Sequence, residues 1–207
     1  MTHVAAIIPV GPLEDAKSRL GRALDAEERQ DLAERLVRRT VTAALAVHAL
    51  TDVLVISPDR DVLQFAADLG ARTLRQRSDG LNAGLIEARG DVVAGGANAL
   101  VILPIDLAFV SADTVAPVVT SVGEPASAAV VVLVTDRHGT GTNVLAVRPP
   151  DVIDFCFGAD SRRAHRAAAL EAGAAYVELK GPLAFDIDTP ADLVLVESMV
   201  AEGTHAG

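Results

Sequence analysis

The stretch Val4-Ala5-Ala6-Ile7-Ile8-Pro9-Val10, closed by Gly11-Pro12, decides the fold predicted for this chain. A continuous apolar run has no polar face to show to water, so it predicts a strand buried on both sides in a parallel sheet. The glycine and proline predict a turn at its end. Ligands of open α/β sheets bind beyond the carboxyl ends of the strands. The loop that follows carries Lys17 and Arg19, which with backbone N–H groups suit an anion such as a phosphate chain.

Helical and apolar segments alternate along the rest of the chain. A helix is predicted from Asp25, which can cap it while Glu28 reaches back, to about Leu50, with Arg35 and Arg39 on a solvated face. Further strands are predicted at 52–57, 71–75, 99–104, 128–134 and 144–147, and helices at 59–69, 81–89, 111–121 and 161–173. This order predicts an α/β fold with a mostly parallel sheet and helices on both faces. We expect a single domain over residues 1–207, with a frayed tail after about residue 201.

Composition restricts the function. The formal net charge is −10 over 207 residues, and no basic stripe could neutralise a nucleic-acid backbone, so nucleic-acid binding is not expected. No apolar run reaches the roughly 18 residues of a membrane helix. The start of the sequence lacks the pattern of a cleavable leader, and the single cysteine cannot form an internal disulfide. We therefore expect a cytoplasmic protein.

Three carboxylates fall at predicted strand ends. Asp106 follows a buried strand, where an acid is costly unless it is paired or binds metal; the alternative is a cap for the next turn. Asp186 and Asp188 lie two residues apart, on one face of a predicted strand, and a cation between them would relieve their repulsion. Mg²⁺ prefers carboxylate oxygen and leaves positions for substrate phosphates. We predict that these three residues bind Mg²⁺, and that Asp106, Lys17 and Arg19 are catalytic.

Other polar residues leave two interpretations open. Asn82, at a predicted helix start, is a cap or solvent-exposed residue, or else contacts a nucleotide. The loop with Gly139 and Gly141 is an ordinary hairpin or an anion-binding nest of N–H groups. Ser161 is predicted to cap a helix whose N-terminus also suits an anion, and His165 is predicted to be a surface histidine.

These groups suit an in-line displacement at phosphorus, in which pyrophosphate leaves a nucleoside triphosphate. The sequence has no Ser/His/Asp set, metal-type Cys cluster, Walker loop or dinucleotide glycine fingerprint. If the attacking group is already an ionised phosphate, no strong base and no covalent nucleophile are needed.

Several short motifs together resemble the guanylyltransferase family of coenzyme F420 biosynthesis, which includes phosphoenolpyruvate and 2-phospho-L-lactate enzymes. The resemblance runs in order from about residue 4 to 195. It is carried by Ile7-Ile8-Pro9-Val10, Ala16-Lys17-Ser18-Arg19-Leu20, Gly80-Leu81-Asn82, Leu103-Pro104 with Asp106, Gly139-Thr140-Gly141-Thr142-Asn143, Phe157-Gly158 with Ser161, and Phe185-Asp186-Ile187-Asp188-Thr189-Pro190-Ala191-Asp192-Leu193.

This resemblance implies a Rossmann-like domain similar to the molybdenum-cofactor nucleotidyltransferases, with GTP as donor, Mg²⁺ as cofactor and a phosphorylated three-carbon acid as acceptor. Thr142, Gly158 and Ser161 would hold the acceptor's phosphate and carboxylate. Lys17 and Arg19 would neutralise the triphosphate, and the next transferase of the pathway would be a partner. The Ala-, Arg- and Val-rich composition suggests a GC-rich genome, as in actinobacteria, where phosphoenolpyruvate is the expected acceptor.

Alternative functions are the same transfer to 2-phospho-L-lactate or 3-phosphoglycerate, and transfer to a molybdopterin or a sugar phosphate. A further alternative is a GTP-binding protein without transferase activity. The last would follow from departures at Gly11, where family members commonly carry lysine, and at Ile105 and Ala108 beside Asp106.

Overall fold

The computed structural model describes residues 2–12, 25–123, 127–187, 189, 191–192 and 194. Within them the chain forms seven strands and five α-helices. The strands are β1 (Val4–Pro9), β2 (Leu50–Ser57), β3 (Arg72–Arg75), β4 (Ala99–Ile102), β5 (Val130–Thr135), β6 (Thr142–Arg148) and β7 (Ala175–Leu179). The helices are α1 (Ala26–Leu45), α2 (Arg60–Asp68), α3 (Leu81–Ala94), α4 (Ala112–Gly123) and α5 (Ser161–Glu171), and a short 3₁₀-helix covers Pro182–Ala184.

The strands form one sheet in the order β3-β2-β1-β4-β6-β5-β7. Strands β1 to β4 pair in parallel, and β5 pairs in parallel with β7. Strand β6 runs antiparallel to both β4 and β5. The connection from β5 to β6 is too short for a crossover, so these two strands must form a hairpin. The predicted α/β fold with a mostly parallel sheet is confirmed.

Strand β1 lies at the centre of the core, as its apolar sequence predicts. Residues from Val4 to Ile8 are each at most 2% exposed. Ala6 and Ile8 pack with residues of α1, α2 and α4, whereas Ala5 and Ile7 pack with residues of α3 and α5. Successive side chains of a strand point to opposite faces, so one apolar strand contributes to two cores and helices cover both sides of the sheet.

The ends of two predicted helices can be compared with the structure. The capping box is confirmed, since the Asp25 side chain accepts from the Glu28 backbone and Glu28 accepts from Asp25 N. Helix α3 does not stop before Gly90 but continues for another turn, which buries Val92 against the sheet. The burial of that side chain offsets the weak helix propensity of glycine.

Two further predictions were wrong. Ser161 is not a cap: the N-cap of α5 is Asp160, with a left-handed φ of 54°, and Ser161 is the first helical residue. The predicted strand around Asp186 is instead the 3₁₀-helix followed by a single bridge to Leu107. Pro182, at the start of that helix, fixes a φ that suits a helical turn.

Among the helices of the described residues, none combines the length and the apolar character that crossing a membrane requires.

Candidate active site

Strand β6 brings its amino-terminal end to the edge where the parallel strands finish. Ile102, the last residue of β4, pairs with Leu145, so Thr142 and Asn143 extend beyond the carboxyl end of β4. Asp106 follows β4 at the same edge. The antiparallel direction of β6 therefore places a residue predicted for the acceptor beside a residue predicted for metal.

Backbone hydrogen bonds assemble the acidic part of the site. An isolated bridge pairs Leu107 with Asp186. Ile187 N donates to Asp106 O at 2.9 Å, and Ala108 N donates to Phe185 O at 2.7 Å on the other side of the bridge. Both acids are intermediate in exposure, so a ligand in solvent can reach them. The structure thus brings together two of the three predicted metal ligands.

A cation lies beside this pair of segments. Arg39 of α1 donates from Nη2 to Leu107 O at 2.6 Å. Burial lowers the pKa of Arg39, and the nearby charge of Arg35 adds to the effect. The solvated face predicted for this part of α1 is wrong at Arg39, because its guanidinium fixes the backbone next to Asp106.

Three predicted site residues, Lys17, Arg19 and Asp188, lie outside the described residues. Within the described part of the chain, no group of three or more His, Cys, Asp or Glu residues is close enough to hold a metal ion. The predicted third ligand, Asp188, lies outside that part, so the three-carboxylate site stays a prediction.

A buried histidine organises the acceptor side. The fully buried His165 makes a 3.0 Å hydrogen bond from Nδ1 to Thr142 Oγ1, and its Nε2 accepts from Cys156 N at 2.9 Å. Its ring meets Phe157 edge to face at 5.0 Å. Burial lowers its pKa to about 4, so it is neutral near pH 7. The prediction of a surface histidine was wrong.

Asn82 holds the same loop at the next residue, Phe157. Its Nδ2 donates to Phe157 O at 3.0 Å, and its Oδ1 accepts from Phe157 N at 2.9 Å. The N-cap of α3 is Gly80, so Asn82 is not a cap. Both ends of the amide are engaged by the residue before Gly158. A contact of Asn82 with nucleotide stays a prediction.

The residues predicted for the acceptor converge on this loop. Ser161 N donates to Gly158 O at 3.3 Å, and Ser161 is 2% exposed. Gly158 has a φ of 135°, and no atom lies within 4 Å of the place a Cβ would occupy. His165 links Thr142 to the same loop. The three predicted acceptor residues therefore belong to one hydrogen-bonded unit.

The loop with Gly139 and Gly141, between β5 and β6, was predicted to be an ordinary hairpin or an anion-binding nest, and it is an ordinary hairpin. The Asp136 carboxylate accepts from Thr140 N at 2.8 Å and Gly141 N at 2.9 Å. Burial raises the pKa of Asp136, but these bonds and one from Thr135 outweigh it and lower the pKa. The anion that uses these N–H groups is the protein's own carboxylate.

Polar contacts also join the acceptor and acidic sides. Asn143 Nδ2 donates to Leu183 O at 3.0 Å, three residues before Asp186. Arg137 forms an ion pair with the buried Asp192, which also accepts from Thr189 N. Strand β6 and the segment carrying Asp186 are thereby fixed to each other.

Sequence reasoning missed the roles of Arg39 and His165. No local motif marks Arg39, since it acts on a backbone carbonyl far along the chain. His165 did carry a signal: with Ser161 and Ala169 it forms a stripe at spacings of four, which is the buried face of α5.

The fold is one that solved nucleotidyltransferases share. A nucleotidyl transferase from Methanothermobacter thermautotroptrophicus shares the fold, with a TM-score of 0.65 at 15% identity over 97% of this chain and 99% of that one. More specifically, the chain belongs to the family described as guanylyl transferase CofC like, which matches residues 4–206. The predicted family and enzyme class are confirmed.

Two curated relatives resemble the chain over nearly its whole length, and both are named phosphoenolpyruvate guanylyltransferase. The protein of Sphaerobacter thermophilus is 42% identical over 194 residues, covering 93% of this chain and 91% of the relative. That of Rubrobacter xylanophilus is 42% identical over 196 residues, covering 94% of each.

Proposed function

We propose that this protein transfers GMP from GTP to the phosphate of phosphoenolpyruvate, as a step of coenzyme F420 biosynthesis. The products are enolpyruvoyl-2-diphospho-5'-guanosine and pyrophosphate. One observation carries the proposal: Thr142, Gly158 and Ser161 form a single hydrogen-bonded unit at the edge that holds Asp106 and Asp186. The names of the relatives support the choice of acceptor.

The acceptor side suits a small acid with two anionic groups. The hydroxyls of Thr142, at the start of β6, and of Ser161, at the start of α5, would donate to the phosphate and carboxylate of the acid. The open space beside Gly158 lets a ligand approach the backbone closely. A three-carbon acid presents its two anionic groups a few ångströms apart, which matches donors clustered on one loop and one helix start.

The reaction needs no general base. An ionised oxygen of the acceptor phosphate attacks the α-phosphorus of GTP, a new P–O bond forms, and the bond to the bridging oxygen of the β-phosphate breaks. Pyrophosphate leaves with that electron pair, and no proton has to be removed. His165 cannot serve as a base, because it is buried and both ring nitrogens already have partners. Its part is to position other residues.

Mg²⁺ is the cofactor we propose, held by Asp106, Asp186 and Asp188. The carboxylate donor set suits this ion, and the paired backbone of the first two supports a common site. The ion would neutralise charge on the triphosphate as pyrophosphate departs. Lys17 and Arg19 would add positive charge, and Arg39 keeps the backbone beside Asp106 in place.

We also propose a cytoplasmic location, in line with a single cysteine that has no internal partner. The next transferase of the pathway is the protein partner we propose, since it would take the labile product directly.

Pyrophosphate release tests the proposal. Purified protein with Mg²⁺ and GTP is assayed with phosphoenolpyruvate, 2-phospho-L-lactate or 3-phosphoglycerate, with the downstream transferase present to draw off product. We expect release that depends on phosphoenolpyruvate. If another acid supports faster release, that acid is the acceptor and not phosphoenolpyruvate. If none of the three acids causes pyrophosphate release and the protein still binds GTP, the result would favour a GTP-binding protein without transferase activity.

A further inference from the structure

We propose that His165 is a positioning residue that fixes the Thr142 hydroxyl as a hydrogen-bond donor toward the acceptor's anionic group, and that anchors the loop carrying Gly158. The inference rests on the proposed acceptor site. It adds the reason why that site selects an anion.

The hydrogen bonds determine which ring nitrogen carries the proton. A backbone N–H can only donate, so the 2.9 Å contact with Cys156 N requires Nε2 of His165 to be unprotonated. The ring is fully buried, and within the described residues no carboxylate contacts it to stabilise a cation. The neutral ring therefore carries its single proton on Nδ1.

The proton on Nδ1 then sets the direction of the Thr142 hydroxyl. Nδ1 donates to Oγ1 over 3.0 Å, so the hydroxyl oxygen accepts there and its own hydrogen points elsewhere. Thr142 keeps 9% exposure and begins β6 at the edge of the sheet. A hydroxyl held in this way offers a donor to solvent or ligand. Phosphate and carboxylate oxygens accept such a bond, and it is stronger than a bond to a neutral group.

The same side chain fixes the other acceptor residues. Cys156, which donates to Nε2, is two residues before Gly158, and Ser161 is one helical turn before His165 on the buried face of α5. The Phe157 ring packs edge to face on the imidazole. Loss of His165 would thus loosen three acceptor contacts together and leave the acidic segments, which are joined through their backbones.

Two variants separate the contacts of His165. In His165→Gln the amide oxygen can reach the position of Nε2 and hold Cys156, while the donor to Thr142 is lost. In His165→Asn the amide nitrogen can reach the position of Nδ1 and keep that donor, while the contact with Cys156 is lost. Thr142→Ser keeps the hydroxyl, and Thr142→Val removes it.

Steady-state kinetics of these variants give the first test. We expect His165→Gln and Thr142→Val to raise KM for phosphoenolpyruvate by roughly 10- to 100-fold, as expected for a lost hydrogen bond to a charged group. KM for GTP should change less than about twofold, and Thr142→Ser should stay near wild type. Equal increases of both KM values, or an unchanged KM for phosphoenolpyruvate, would overturn the inference.

The tautomer of His165 gives a test that does not depend on activity. Long-range ¹H–¹⁵N spectra of the wild-type protein near pH 7.5 should show Nδ1 protonated and Nε2 bare, with the signals assigned by their absence in His165→Gln. A proton on Nε2, or on both nitrogens, would overturn the inference. If the wild-type protein does not use phosphoenolpyruvate, the proposed function fails, and the tautomer still decides whether the hydroxyl of Thr142 is held as a donor.

Discussion

The acidic and acceptor sides of the catalytic edge are built in different ways. Asp106 and Asp186 are brought together by a backbone bridge between two segments that follow strand and helix ends. The loop before Gly158 is instead held by two side chains: His165 binds Cys156, and Asn82 binds Phe157. Single substitutions on the acidic side should therefore lower kcat, and single substitutions on the acceptor side should raise KM for the acceptor.

The largest effect is expected at Asp106. Asp106→Asn keeps the size of the side chain but removes the charge that would bind Mg²⁺. We expect kcat to fall about 100- to 1,000-fold, the range for losing one group that stabilises charge in the transition state. The melting temperature should change little. Pyrophosphate release and thermal unfolding measure the two quantities.

Asp151→Asn is the matched control for this change. Asp151 is exposed and follows the carboxyl end of β6, at the edge of the sheet opposite the site. It should keep full activity. A near-normal kcat in Asp106→Asn would remove the metal assignment and leave Asp106 as a structural cap.

The pH dependence of stability comes next in size. Burial lowers the pKa of His165 from 6.5 to about 4. In the unfolded chain His165 therefore binds a proton below pH 6.5, whereas in the folded chain it binds one only below about pH 4. His165 should therefore lower the free energy of unfolding by about 3 kcal/mol as pH falls from 8 to 4.

Other groups titrate in this range, so the quantity to measure is a difference. Urea unfolding of the wild type and of His165→Gln should show a stability gap that narrows by this amount toward pH 4. A gap that is constant with pH would mean that His165 is not held neutral in the folded protein.

A smaller effect is expected at Asn82. Asn82→Ala removes both hydrogen bonds to Phe157 and should raise KM for phosphoenolpyruvate about tenfold, with a loss of about 2 kcal/mol in stability. Asn98→Ala is the control, because the Asn98 side chain also accepts from a backbone N–H, that of His3, at the opposite edge. If Asn82 contacts nucleotide instead, KM for GTP should rise more than KM for the acid.

The smallest effect is expected at Gly158. Gly158→Ala finds open space but must adopt a φ of 135°, which costs an L-residue about 1 kcal/mol or more and should raise KM for phosphoenolpyruvate a few fold. Gly173→Ala is the control: it also has a positive φ and open space, at the far end of α5, although its φ of 64° is less strained for an L-residue. It should lose stability and keep its kinetics. Equal KM changes in both variants would argue against a role for Gly158 in binding.

On the acidic side, the position of Asp106 could be predicted from the sequence because its signals are local, whereas the bridge that brings Asp186 to it joins distant residues. Strand β1 is a continuous apolar run, and Asp106 directly follows another such run, so a buried sheet with acids at its edge follows from composition and order. The short connection to β5 fixes the direction of β6, but the placing of β6 beside β4 could not be predicted, since an apolar run is compatible with several neighbours in a sheet. Its antiparallel pairing is what brings Thr142 to the edge.

The acceptor side was harder to predict because its contacts join distant residues through side chains. Asn82 and Phe157 are 75 positions apart, and nothing in either local sequence reports their pairing. His165 was predicted to lie at the surface, although its spacing with Ser161 and Ala169 marks the buried face of α5. Apolar periodicity does not predict which polar side chains are buried and bind backbone groups.

The central claim is that the acceptor's phosphate becomes bonded to the α-phosphorus of GTP. Phosphorus NMR tests it directly. The sample contains GTP, phosphoenolpyruvate, Mg²⁺ and the protein at a concentration similar to that of the substrates. We expect the phosphoenolpyruvate signal to be replaced by the two coupled signals of a mixed diphosphate, with pyrophosphate formed in equal amount. An unchanged phosphoenolpyruvate signal, with GTP intact or merely hydrolysed, would contradict it.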